Sequence, residues 1–286
     1  MAALAQPAQE TAALIRALVR SGDQDRYWSA LLAPDRVRAD LLALYAFNLE
    51  IARVPEQVRE PRLGEIRLQW WQDALAAALA GEAADQPVLA ALAAAAKAHG
   101  LTAGPLEGMI EARGFDLADE PMVDLPALLA YLDATAGAVF RLGAQIAAGG
   151  DRAAEAARQA GIAYGLTGLM RALPYHVARG NVFLPGDLLA KHGLHPQAIL
   201  NGGANADLHA VLRDLREVAS GALAAFRRHA PALPVDALPV FLPLALVEPT
   251  LARLAAPGHD PLREIVQLNP LRRYALIWRA HLRGRV

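Results

Sequence analysis

Apolar residues recur three and four positions apart along almost the whole chain, and no stretch alternates apolar with polar side chains. The first spacing buries one face of an α-helix, whereas a half-buried strand needs strict alternation. The pattern opens with Leu14, Leu18 and Val19 and continues through Leu41, Leu42, Leu44, Tyr45 and Leu49. Ala74 to Ala98 reads as alanine-rich helix broken at Gly81–Pro87. Pro126–Ala148 and Ala153–Leu173 read as two long buried helices, Leu208–His229 as amphipathic helix and Pro270–Arg283 as a basic amphipathic helix. Only Val182-Phe-Leu-Pro185 suggests a short extended piece. The breaks fall at Pro55–Pro61, Gly100–Pro105, Asp116–Pro126, Gly149–Asp151, Gly180–Pro185 and Gly193–Ala206, and none is a long polar linker. The expected fold is therefore all-α, one domain over residues 1–286, with residues 1–20 as its flexible part.

Composition removes several chemistries. The chain has no cysteine, which excludes disulfides, thiolate catalysis, zinc–thiolate sites and Fe–S clusters. The net charge of −1 gives no reason to expect nucleic acid as a partner. The N-terminus has no basic start leading into a long apolar run, so it reads poorly as a signal peptide. No segment reads as a bilayer span. The nearest, Ala230–Val247, carries Asp236 and four prolines and predicts a broken core helix. The expected compartment is the cytoplasm, with a peripheral position at the inner membrane.

Three local features admit a plain and a functional reading. Gly161, Gly165 and Gly168 lie on one helical face with no preceding strand, so close helix packing is expected before nucleotide binding. Trp70 and Trp71 point about 100° apart on a helix; core packing is expected for both, with a rim anchor as the alternative for one. The last stretch, NPLRRYALIWRAHLRGRV, reads as a solvated helix, or as one that lies on an anionic membrane with Trp278 near the headgroups.

Two segments carry more. DRYWSALLAPDRVRADLLALYAFNLEIARVPE and GIAYGLTGLMRALPYHVARGNVFLPGDLL resemble the signature regions of squalene and phytoene synthases, and Tyr131-Leu-Asp-Ala-Thr-Ala-Gly137 resembles the third recurrent segment of that family. The order and separation match over roughly residues 20–285. The resemblance implies an isoprenoid-synthase-type helical bundle around a central apolar cavity. It also implies Mg²⁺, a hard cation held by carboxylates that neutralises a departing diphosphate. The family pattern expects aspartates at 52, 53 and 56 and at 172 and 176; this chain has Ala52, Arg53 and Glu56, then Ala172 and His176. One carboxylate of five survives, while the frame residues Tyr45, Arg171, Arg179 and Asp187 persist.

YAFNLEIA, RLQWWQDAL and RALPYH followed by VFLP resemble the branch of this family that lacks the aspartate motifs and includes the mitochondrial complex I assembly factor. That resemblance implies a non-catalytic protein without a metal or other cofactor, with respiratory NADH dehydrogenase subunits as partners. Tyr45, Arg53, Arg171, Arg179 and Asp187 are the candidate ligand-binding residues, for a prenyl diphosphate or lipid held by arginine forks in place of a metal. The plain reading pairs Arg53, Arg67, Arg171 and Arg179 with Glu50, Glu56 and Glu65 on helix surfaces. His176 has no second histidine at helical spacing, so a hydrogen-bonded structural role is expected. The alternative function is an active prenyltransferase that condenses two prenyl diphosphates with Mg²⁺.

Overall fold

The computed structural model describes residues 2–118, 121–202 and 206–286, with side chains from residue 9 and, after the last gap, from residue 207. Every element in these residues is helical, and Val182–Pro185 joins two helices with no strand partner. The first third holds α1 (Ala2–Gly22), α2 (Gln24–Leu31), α3 (Asp35–Ala52), α4 (Val54–Gln57), α5 (Pro61–Leu79) and α6 (Pro87–His99). Then come α7 (Ala103–Ala112), α8 (Leu125–Leu132), α9 (Ala138–Ala148), α10 (Ala154–Arg171), α11 (Leu173–Ala178), α12 (Gly186–Lys191) and α13 (Pro196–Leu200). The chain ends with α14 (Ala206–His229), α15 (Leu238–Phe241), α16 (Val247–Leu254) and α17 (Pro270–Arg283).

The ends of these helices follow from local chemistry. Side chains of Asp23, Gln86, Asp124 and Asn269 accept hydrogen bonds from backbone N–H groups that have no partner within the first turn. Gly100 stops α6 at φ +63°, a left-handed conformation that a side chain resists. Expected breaks at 119–120 and 203–205 lie outside the described residues.

One hydrophobic cluster runs from Ile15 on α1 to Leu254 on α16, and a smaller one joins Leu242 and Leu246 to Ile277 of α17. Ile15 and Val19 are buried where α1 packs on α3. Phe47 of α3 meets Trp71 of α5 edge to face, with centroids 5.9 Å apart. Burial of each such ring is worth about 1.5–3 kcal/mol. Trp71 is in the core but Trp70 is 49% exposed, so core packing holds for one tryptophan only. One helical face cannot accommodate two adjacent residues.

α10 runs through the centre, between α14 and the α8–α9 pair. The join between α8 and α9, Asp133–Gly137, is a π-helical turn. A Cβ on Gly161 would come within 2.4 Å of the Gly137 backbone, and one on Gly165 within 2.6 Å of Leu132. These two glycines set the approach of α10 to the π turn, as their spacing suggested. A Cβ on Gly168 meets nothing within 4 Å, so the third glycine serves something else.

Leu125–Ala148 and Val235–Leu254 are long and apolar enough to cross a bilayer by length and composition, which corrects the expectation that no segment qualifies. In the bundle, 44% and 61% of these windows are buried against other helices.

Candidate functional site

α3 delivers Asn48 and Ala52 to one side of a cavity of about 260 Å³, and the α10–α11 junction delivers Gly168, Tyr175 and His176 to the other. The two signature regions thus face each other. They also touch: the Tyr175 hydroxyl donates to Glu56 Oε1 at 2.9 Å, and Arg179 Nη2 donates to the Pro55 carbonyl at 3.0 Å. Glu56, Tyr164, Gly168 and Tyr175 are shared with a second cavity of about 460 Å³, which Arg171, Ala172 and Arg273 also line.

Arg26, which is buried, and Arg113, which is mostly buried, line the first cavity. Arg26 Nη1 pairs with Asp23 Oδ2 at 2.8 Å, and its guanidinium lies 5.0 Å from the Tyr164 ring, 5.7 Å from Phe140 and 5.9 Å from Tyr45. Burial opposes this charge, but Asp23 and the aromatic rings hold it, and Arg26 stays protonated. Arg113 Nη1 donates to Asp116 Oδ2 at 3.0 Å and to the Tyr131 oxygen at 2.8 Å. Tyr131 in turn donates to Asp116 Oδ1 at 2.7 Å. Arg113 Nε is buried without a hydrogen-bond partner. Phe115, Tyr131 and Phe183 meet beside it at tilted and edge-on angles, and the His176 ring centroid lies 4.6 Å from that of Phe183.

Burial pushes His176 below the ordinary imidazole range, more than Asp116 and Glu56 can raise it, so the ring is uncharged at neutral pH. In the second cavity burial raises the Asp25 carboxyl, while Arg273 opposes the rise through bonds of 2.7 and 2.9 Å.

The structure sorts the residues singled out in the sequence. Ala52, Glu56, His176 and Arg179 line the first cavity, and Glu56, Arg171 and Ala172 the second. Tyr45 sits behind Arg26 and reaches the site only through its ring. Arg53 is not among the residues lining either cavity; its guanidinium packs against Gly22 of α1. Asp187 Oδ1 accepts from the backbone N–H of Leu125 and of Leu188, so it fastens α12 to the start of α8. Among the described residues Arg53, Arg67, Arg171 and Arg179 form no ion pair with Glu50, Glu56 or Glu65, which corrects the surface-pairing expectation. Asp23, Asp25, Arg26, Arg113, Asp116, Tyr131 and Tyr164 were missed as site residues. The usable signal was the density of charge in DQDRYW at 23–28, beside a helix that is otherwise apolar.

The donor set does not suit a magnesium cluster. Positions 52 and 172 offer methyl groups, Asp23, Asp25 and Asp116 are engaged by arginine, and Glu56 accepts from Tyr175. Among the described residues no three His, Asp or Glu side chains converge as metal ligands. The first cavity instead combines Arg26, Arg113 and Arg179 with an apolar wall at Leu132, Leu169 and Phe183. Such a lining can hold an anionic group attached to an apolar body by direct hydrogen bonds.

Comparison with known proteins bears on what this site is for. The family profile described as squalene/phytoene synthase matches residues 19–283. The mouse protein named NADH dehydrogenase (ubiquinone) complex I, assembly factor 6 is 31% identical over 267 residues, 92% of this chain and 80% of that one. A homologue of that factor from Dictyostelium discoideum is 25% identical over 82% of this chain and 67% of its own. Among solved structures, a dehydrosqualene synthase in complex with ligand superposes with TM-score 0.82 at 16% identity, covering 98% of this chain and 99% of that one. The squalene synthase of Alicyclobacillus acidocaldarius superposes with TM-score 0.72 at 19% identity, over 96% and 94% of the two chains.

Proposed function

The chain belongs to the squalene/phytoene synthase family, and from that premise we propose that it acts by binding and not by turnover, as an assembly factor for a respiratory NADH dehydrogenase. The observation that carries the reading is the state of the carboxylates around the two cavities. Each is engaged by an arginine or a tyrosine, and the positions where the family pattern expects aspartates at 52 and 172 hold alanine. Loss of a diphosphate leaving group needs several divalent cations, and cations need free oxygen ligands. Among the described residues lining the two cavities no general acid–base pair or activated nucleophile replaces them.

The assembly role comes from relatives that carry that name and align over most of both chains. A family fold with its cavity kept and its metal ligands gone supports a binding role for the cavity as well. Its occupant on this reading is a prenyl diphosphate or lipid, bound without a metal by Arg113 and Arg179 in the first cavity or by Arg171 in the second. The protein then works in the cytoplasm, peripheral to the inner membrane, with subunits of the dehydrogenase as partners.

Incubation with farnesyl or geranylgeranyl diphosphate and Mg²⁺, followed by product analysis, is expected to give neither squalene nor phytoene. Deleting the gene is expected to lower assembled NADH dehydrogenase activity and to leave squalene and carotenoids unchanged. Formation of a condensed product by the purified chain, or its loss from the deletion strain, would establish an active prenyltransferase and end this reading.

A further inference from the structure

Helix α17 divides sharply between a buried and an exposed face. Ile277 and Ala280 pack on the smaller hydrophobic cluster, and Arg273 reaches inward to Asp25. On the other side Leu271, Tyr274, Trp278 and Leu282 are 80%, 45%, 40% and 69% exposed. Their spacing of three, four and four places them on one stripe, about 16 Å long at 1.5 Å per residue. Tyr274 and Trp278 stack within the stripe, and Trp28 of α2 meets Tyr274 edge to face at 5.8 Å. Leu31 of α2 is exposed as well.

The charges around this stripe decide what covers it. Arg272, Arg279 and Arg283 are exposed beside it, with Arg285 just beyond, and no Asp or Glu follows Glu264 in the chain. A second exposed apolar stripe, Leu63, Ile66 and Trp70 on α5, shows the contrast. There Arg62 and Arg67 alternate with Glu60, Glu65 and Asp73, the mixed-sign border that suits a protein surface. A stripe of Leu, Tyr and Trp on a helix whose formal charges are all arginine complements a plane that is apolar inside and negative at its boundary. The chain's net charge of −1 conceals this because the balancing acids lie elsewhere.

We propose that α17, extended by Trp28 and Leu31 of α2, docks the protein on an anionic phospholipid bilayer. Leu271, Tyr274, Trp278 and Leu282 enter the headgroup boundary while Arg272, Arg279 and Arg283 meet lipid phosphates. Docking depends neither on what the cavities hold nor on any role in assembly. Arg273 on the inner side belongs to the second cavity, so the helix that docks also forms part of that wall.

The test sediments the full chain with phosphatidylcholine vesicles and with mixed phosphatidylcholine–phosphatidylglycerol vesicles. Binding is expected only to the mixed vesicles and is expected to weaken with salt. R279E/R283E and L271D/L282D each change exposed residues, so melting temperature should hold while partitioning falls by about tenfold or more. Absence of binding to mixed vesicles at low salt overturns the proposal. So does binding that survives L271D/L282D, because it would be adsorption by charge alone. A dimer in solution that L271D/L282D dissociates would assign the face to a second copy of the chain and overturn it equally.

Discussion

Arg26 and Arg113 invite comparison because they solve one problem in two ways. Each is a largely buried arginine on the cavity wall with an aspartate three residues away, Asp23 on the one side and Asp116 on the other. Arg26 is closed off: its carboxylate also caps α2, and three aromatic rings surround the guanidinium. Arg113 has a less complete set of partners, with Tyr131 bridging it to Asp116 and Nε buried without a hydrogen bond. The first arrangement fixes where α2 sits against α3, α9 and α10. The second ties the end of α7 to Tyr131 of α8 and leaves one buried donor without a partner.

The largest effect is expected at the closed site. Arg26→Ala strands Asp23 and removes the cation from three rings, and should cost about 3–5 kcal/mol in urea unfolding. Arg113→Ala leaves an already incomplete network and should cost less; equal losses would abolish the distinction. Next, Gly161→Ala drives a methyl into the Gly137 backbone and should cost about 1–3 kcal/mol by thermal melting, because a π turn cannot yield as a side-chain tip does. Tyr131→Phe strips the hydroxyl that joins Arg113 to Asp116 and should cost about 1–3 kcal/mol. Tyr164→Phe keeps the ring that Arg26 faces and should cost under about 0.5 kcal/mol. A reversed order of the two tyrosines would break the comparison.

The smallest effect is a pH dependence at His176. Burial holds its folded pKa below the ordinary 6.5. As pH falls below 6.5 the unfolded chain takes up this proton before the folded one, so stability falls until the folded ring also titrates. Above that window the ring is neutral in both states and contributes no slope. His176→Phe should remove this part of the acid sensitivity in melting curves recorded across the range, and an unchanged slope would show that the ring is not desolvated.

How much of this could be read from the chain varies with the kind of fact. Helix limits were legible where a cap or a proline marks them: Pro270–Arg283 was expected and is found, after the Asn269 cap. The meeting of the two signature regions was legible through the family resemblance. The partners of each polar residue were not. Apolar periodicity states which face of a helix is buried, but it carries no information about which buried groups meet across it. Asp187 was a ligand candidate and proved to be a fastening for α8; Arg53 was another and turned toward α1. The π turn was equally invisible, although Tyr131–Gly137 had been singled out. One extra residue in a helical turn changes the direction of a face without changing the composition of the segment.

Gly168 lines both cavities, and a Cβ there would touch nothing within 4 Å. Within a helix, glycine is about 1 kcal/mol worse than alanine, so α10 gives up stability to leave this point of the wall bare. With glycine this point of both cavities carries no side chain, and a larger residue would narrow them without moving a helix.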